Sequence, residues 1–78
     1  MKRTVHLGAV VDEIAALPPH LRARMLRTIE ELAGTPEPLG ARPYGGIPSA
    51  FEIVADSFTL RYTYGDDHVS VWVVRANT

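Results

Sequence analysis

The chain has 78 residues, a formal net charge of −1 and no cysteine. This length allows one domain spanning residues 1–78, and the absence of cysteine excludes disulfides and cysteine-based zinc sites and fits a reducing cytoplasm. No segment approaches the roughly 18–20 consecutive apolar residues of a membrane span, and the start is too short and broken for a signal peptide. We therefore expect a cytoplasmic protein without a membrane partner. A domain this small buries only about 60% of its unfolded surface, so we also expect stabilisation by homo- or hetero-oligomer formation.

The first part of the chain predicts a short strand followed by a helix. Val5 and Leu7 alternate with polar neighbours over residues 2–7, which is typical of a strand. Over residues 9–17 the apolar side chains recur at helical spacing, and Pro18-Pro19 must interrupt that helix. The apolar positions are Val10, Val11, Ile14, Ala15 and Leu17.

A second helix is predicted over residues 20–33. Pro19 suits its first helical position, and Gly34 suits the position just after its end. One face is apolar and the opposite face is charged, so the two helices form a hairpin around the Pro-Pro turn. The apolar face consists of Leu21, Met25, Leu26, Ile29, Leu32 and Ala33.

The second half predicts a loop and then three strands. Residues 35–48 are rich in proline and glycine, and Gly45-Gly46 indicates a turn with positive φ. Strands are predicted over residues 51–55, 58–64 and 69–75, and the short turns between them make the sheet antiparallel. The predicted fold is α+β, in the order β-α-α-β-β-β, with the helical hairpin packed on one face of the sheet.

Alternation along the strands assigns the two faces of the sheet. The face under the helices is predicted to hold Phe58, Leu60, Tyr62, Val71 and Val73. The other face is half polar, and the chain has no helix left to cover it. Its predicted members are Glu52, Val54, Thr59, Arg61, Thr63, Ser70, Trp72 and Val74.

Three local stretches, taken in this order of elements, resemble the RelE/ParE superfamily. Residues 17–24 read LPPHLRAR, like the Leu-Pro turn that enters an arginine-rich second helix in that family. Residues 38–46 read PLGARPYGG, like its Gly-x-x-x-Leu-x-Gly approach to the sheet. Residues 51–62 read FEIVADSFTLRY, like its hairpin of aromatic and basic residues. The likeness covers nearly the whole chain.

The resemblance implies the toxin of a bacterial type II toxin–antitoxin system. RelE-like members of the family cleave mRNA in the ribosomal A site, and ParE-like members inhibit DNA gyrase. Both are held inactive by a cognate antitoxin. The partners implied are therefore an antitoxin and either ribosome-bound mRNA or gyrase, with no cofactor.

The chain departs from the family where the nuclease chemistry resides. Positions that are usually basic fall on Glu52, Val54 and Thr59, and the family's late catalytic arginine would fall beyond Thr78. The sequence therefore leaves three functions open. They are RelE-like endoribonuclease, ParE-like gyrase inhibitor and a catalytically degenerate binding module.

Within this resemblance, two groups of candidate residues follow. Guanidinium groups bind phosphate bidentately and tryptophan stacks on bases. The candidate catalytic residues are Arg61, His68 and Arg75, and the candidate RNA- or partner-binding residues are Trp72, Thr59, Arg22, Arg24 and Arg42.

Each candidate also has a purely structural interpretation. Trp72 also suits the anchoring of a protein partner while Arg61 forms an ion pair, and this interpretation is favoured. The arginines of the second helix also fit a solvated face on which Arg27 pairs with Glu31, and that interpretation is favoured for them. The histidines, His6, His20 and His68, are far apart in sequence; they are predicted to be isolated and to bind no metal.

Overall fold

The computed structural model describes residues 2–77, which form two helices and five strands. The predicted α+β class is confirmed. The helices are α1 (Val10–Ala15) and α2 (Pro19–Gly34). The strands are β1 (Thr4–His6), β2 (Arg42–Pro43), β3 (Ala50–Val54), β4 (Phe58–Tyr64) and β5 (His68–Ala76). Neither helix has the length and apolar content needed to cross a membrane.

The strands form one sheet in the order β1-β5-β4-β3-β2. The β3–β4 and β4–β5 pairs are antiparallel hairpins, as predicted. Two features were not predicted. The two-residue strand β2 extends the sheet beyond β3, and β1 pairs with β5 in parallel. Parallel pairing is open to β1 because both helices intervene before the hairpins, so no tight turn fixes its direction.

The helices differ from the predicted bounds at their ends. Pro19 occupies the first turn of α2 as predicted. Gly34 belongs to α2 itself, and Thr35 caps the helix at φ −136°, so the prediction that Gly34 lies outside the helix is wrong. The first helix ends at Ala15 rather than at residue 17, because Pro18 leaves no room for another turn.

The core lies between the helices and one face of the sheet. Only Val10 and Ile14 of α1 are buried, so the predicted contribution of Val11 to the core is wrong. Val11 is 49% exposed, and Leu26 of α2, also predicted on the apolar face, is 42% exposed. The largest fully buried side chains are Tyr62, Met25, Leu32, Leu60 and Val69.

A bulge in β5 changes which side chains enter the core. Leu60 pairs with Val74 and Arg61 pairs with Val73, but the next residue of β4, Tyr62, pairs with Val71. An extra residue, Trp72, therefore lies in β5 and shifts the alternation of side chains by one position. The predicted inward Val73 and outward Val74 are both wrong, since Val74 is 5% exposed and Val73 lies opposite the outward Arg61.

Two tyrosines tie the loop after α2 to the sheet. The Tyr62 hydroxyl donates a hydrogen bond to the Pro36 carbonyl at 2.5 Å, and the Tyr64 hydroxyl donates one to Glu37. Burial, followed by the nearby Glu37 charge, raises the pKa of Tyr62 to about 12. The neutral phenol is therefore the form that the fold requires.

The bulge in β5 predicts that alanine substitutions at Val73 and Val74 lower the free energy of unfolding by different amounts. Val74→Ala should lower the free energy of unfolding by about 2 kcal/mol, because it leaves a cavity beside Leu60. Val73→Ala should lower it by less than about 1 kcal/mol, because that side chain is only partly covered. Urea denaturation of the two variants checks this order. A larger loss in Val73→Ala would instead indicate regular alternation along β5.

The raised pKa of Tyr62 predicts that the folded protein loses stability at alkaline pH. Its unfolded pKa is 10.0 and its folded pKa is about 12, so unfolding releases a proton between these values and stability falls as pH rises. The expected loss is about 2–3 kcal/mol, at about 1.36 kcal/mol per pKa unit. Urea denaturation across this pH range should show that Tyr62→Phe lacks this part of the loss. Parallel pH curves for the two proteins would contradict the assignment.

Candidate functional site

The sheet face opposite the helices, here called the outer face, carries several of the predicted functional residues in cross-strand rows. Arg42, Glu52, Arg61 and Val73 lie opposite one another across β2, β3, β4 and β5. Residues paired directly across antiparallel strands project from the same face. The outer face therefore brings two arginines and one glutamate into a single row.

Arg61 is held from two sides. Its Nε donates a hydrogen bond to Glu52 Oε2 at 2.8 Å, and the two side chains are 22% and 20% exposed. The guanidinium carbon lies 4.4 Å from the centre of the Tyr44 ring, which is cation–π geometry. Among residues 2–77, Glu52 alone accepts a hydrogen bond from Arg61. The site thus contains a guanidinium that is oriented and partly covered, and whose Nη groups donate no hydrogen bond within residues 2–77.

Tyr44 also contacts the only tryptophan of the chain. The two rings lie edge to face, with centres 5.5 Å apart and planes at 61°. A backbone hydrogen bond from the Tyr44 N–H to the Ala50 carbonyl, 2.9 Å long, fixes the tyrosine beside β3. Trp72 lies on the outer face, as alternation along β5 predicts, and is 42% exposed. Arg61, Tyr44 and Trp72 therefore form one cluster.

Sequence reasoning missed Tyr44. The residue lies just after β2 in a loop without periodicity, and its neighbour Gly45 has φ +60°, which confirms the predicted turn there. Tyr44 could have been found if residues 42–43 had been recognised as a strand. Pairing of this strand with β3 would then have placed Tyr44, the residue after Pro43, beside the outer face.

Two further arginines flank this cluster. Arg42 lies opposite Glu52 at the edge of the sheet, and Arg75 lies opposite Thr59 near the end of β5. Both are exposed. Arg75 is two positions from Val73, so it lies about 7 Å along β5 from the row of Arg61. With Glu52 as the nearby carboxylate, the centre of the outer face is locally basic in a chain of net charge −1.

Thr59 is buried rather than open to a ligand. It is 3% exposed, and its hydroxyl donates a hydrogen bond to Asn77 Oδ1 at 2.8 Å. Asn77 Nδ2 in turn donates to the Ala55 carbonyl at 2.9 Å. Thr59 therefore helps to fasten the end of β5 to the β3–β4 turn and is removed from the candidate ligand contacts.

His68 lies at the opposite end of β5 from Arg75. The seven positions between them correspond to about 23 Å along the strand, too far for both to act on one phosphate. His68 Nδ1 lies 3.0 Å from Asp67 Oδ1, and this hydrogen bond lowers the pKa of Asp67. The His6 ring centre is 6.2 Å from that of His68. The prediction that these two histidines are isolated is therefore wrong.

The arginines of α2 belong to the helical layer. Arg22 Nη1 donates to the Ala15 carbonyl at 3.1 Å, which satisfies a backbone group at the end of α1. Arg24 Nη1 donates to Ser57 Oγ at 3.2 Å in the β3–β4 turn. Neither residue lies on the outer face. The predicted pair between Arg27 and Glu31 is not among the ion pairs of residues 2–77.

The outer face has no group suited to hold a metal. Within residues 2–77, no three histidine, aspartate or glutamate side chains converge on one point. The chemistry available at the site is that of cations and aromatic rings, which suits binding of an anion and of a planar group.

Comparison with known proteins gives a match in structure but not in sequence. No family model and no curated protein matches the chain. A chain of the RelBE2 toxin–antitoxin complex from Mycobacterium tuberculosis superposes with a TM-score of 0.80 and 18% identity, covering 99% of this chain and 100% of that one. A double arginine-to-alanine mutant of the Escherichia coli toxin RelE in the free state superposes with a TM-score of 0.78 and 20% identity. The match covers 95% of this chain and 82% of that one. The predicted RelE-like fold is confirmed.

Proposed function

We propose that the chain is the toxin of a type II toxin–antitoxin pair and acts in the bacterial cytoplasm as a RelE-like endoribonuclease on ribosome-bound mRNA. The supporting observation is the combination of a RelE-like fold over nearly the whole chain with the cluster of Arg61, Tyr44 and Trp72 on its outer face. The fold by itself does not define the activity, so the cluster carries the chemical argument.

In cleavage of RNA by its own 2′-hydroxyl, the 2′-oxygen bonds to the adjacent phosphorus while the bond from phosphorus to the 5′-oxygen of the next nucleotide breaks. The hydroxyl gives its proton to water, the leaving 5′-oxygen takes one from water, and negative charge builds on the phosphate oxygens in the transition state. Fixed cations that face this charge lower the barrier. In our proposal Arg61 stabilises the phosphate, Arg75 adds a second positive charge about 7 Å away, and Trp72 stacks on a neighbouring base. His68 is too distant to share this phosphate and has no catalytic role in the proposal.

The proposed partner is an antitoxin that covers the outer face. Trp72 and Val54 are 42% and 53% exposed on a face without a helix. An exposed apolar surface next to arginines suits a protein interface, where tryptophan and arginine are favoured anchors. A partner bound over Trp72 would also occupy the base-stacking position and so inhibit the toxin.

A second candidate is a binding module without nuclease activity. The observation that favours it is the ion pair between Arg61 and Glu52, in which a carboxylate stands at a position that is usually basic in the family. In this case the arginine serves to fix the surface for a partner rather than to neutralise a phosphate.

The toxin proposal predicts that expression of the chain arrests growth and that an adjacent antitoxin gene relieves this arrest. Inducing the chain alone in a bacterial host should stop growth within a few generations, whereas co-induction with its neighbouring gene should restore growth. Uninhibited growth at verified protein levels would contradict the toxin proposal. Arrest with inhibited DNA supercoiling and intact mRNA would point instead to a ParE-like activity.

We predict that the proposed nuclease activity requires Arg61. Arg61→Ala should reduce cleavage of ribosome-bound mRNA, measured by primer extension, by about 10²–10³-fold, because one fixed cation facing the transition state is removed. Arg27→Ala removes the same charge from α2 and should cleave like the unaltered protein. Thermal unfolding of both variants checks that they fold. Equal cleavage by folded Arg61→Ala would contradict the role of Arg61, and absence of cleavage by the unaltered protein would favour the binding-module alternative.

A further inference from the structure

We propose that Tyr44 and Glu52 are positioning residues that leave Arg61 only its terminal Nη edge for a phosphate, and that the Glu52 charge weakens phosphate binding there. This inference rests on the proposed function, in which Arg61 is the phosphate ligand. It extends that function by naming two residues that control the guanidinium.

Glu52 occupies the Nε side of the guanidinium. An arginine can grip a phosphate with Nε and one Nη, or end-on with both Nη groups. The 2.8 Å bond from Nε to Glu52 Oε2 removes the first of these modes. Both side chains are about four-fifths covered, so water cannot easily exchange for the carboxylate. The end-on mode remains.

The Tyr44 ring lies against the guanidinium of Arg61. The guanidinium carbon is 4.4 Å from the ring centre, so the ring blocks movement of the guanidinium in that direction. The Tyr44 ring is itself restrained by its edge contact with Trp72. The hydrogen bond to Glu52 and the contact with Tyr44 therefore restrict the positions that the Nη groups can take.

The same carboxylate opposes an incoming anion. A phosphate held end-on by Arg61 lies within a Debye length of Glu52, and repulsion between partly buried charges is weakly screened. Glu52 thus orients the arginine and reduces its affinity at the same time. Removing the charge while keeping the hydrogen-bond acceptor separates the two effects, and Glu52→Gln is that substitution.

Binding of a fluorescein-labelled single-stranded RNA, measured by polarisation at fixed salt, tests the charge effect. Glu52→Gln should bind about three- to tenfold more tightly than the unaltered chain. Glu13→Gln, on the exposed side of α1, makes the same change in net charge and should alter affinity less than about twofold. Equal or weaker binding by Glu52→Gln, or an equal gain in Glu13→Gln, would overturn the charge effect.

Variants of Tyr44 test whether its ring positions the Arg61 guanidinium. Tyr44→Phe keeps the aromatic ring and should bind the RNA within about twofold of the unaltered chain. Tyr44→Leu removes the ring and should bind about three- to tenfold more weakly. Equal binding by the leucine variant would contradict a positioning role.

The NMR signal of the Arg61 Nε–H reports the geometry without RNA. Its exchange with water should be slow in the unaltered chain, in Glu52→Gln and in Tyr44→Phe, and fast in Glu52→Ala. Fast exchange in the unaltered chain would overturn the positioning role even if RNA binds. If RNA does not bind at all, the proposed function and the charge effect both fail, while slow exchange still supports the positioning.

Discussion

The extra residue in β5 is the constraint on which the rest of the site depends. A strand that alternates regularly would place Trp72 opposite Arg61 and send Val74 outward. The bulge instead pairs Arg61 with Val73, buries Val74 and leaves Trp72 on the outer face. One inserted position therefore completes the core on one side of the sheet. On the outer face, the same insertion places Val73 directly opposite Arg61, while Trp72 contacts Tyr44.

The ion pair between Arg61 and Glu52 is better explained by geometry than by stability. Taking two charges largely out of water costs about as much as their attraction returns, so such a pair adds little net stability. Fixing a guanidinium against a carboxylate and a ring does, however, restrict its rotamers before any ligand arrives. The two contacts orient the guanidinium, and the negative charge of Glu52 reduces its attraction for anions. The proposed phosphate site thus combines a fixed donor geometry with a reduced affinity for anions.

Local patterns in the sequence predicted the helices and hairpins, and non-local pairing decided what they could not predict. Alternation placed Leu60 and Tyr62 in the core correctly, because it depends on β4 alone. The inversion of Val73 and Val74 depends on a difference in residue count between β4 and β5, which neither strand shows by itself. The approach of His6 to His68 likewise requires the parallel pairing of β1 with β5.

The helix packing that defines the fold and the proposed functional site lie on opposite faces of one sheet. The helices cover the inner face, so the packing that defines the RelE-like fold constrains the inward side chains and few of the outward ones. This division explains how the fold can persist at 18–20% identity, because outward side chains such as Glu52 and Val54 contribute little to that packing. Side chains on the outer face can change charge without leaving a cavity in the core. The proposed nuclease activity therefore depends on the row of Arg61 and its neighbours, and the fold would be retained whether or not that row is active.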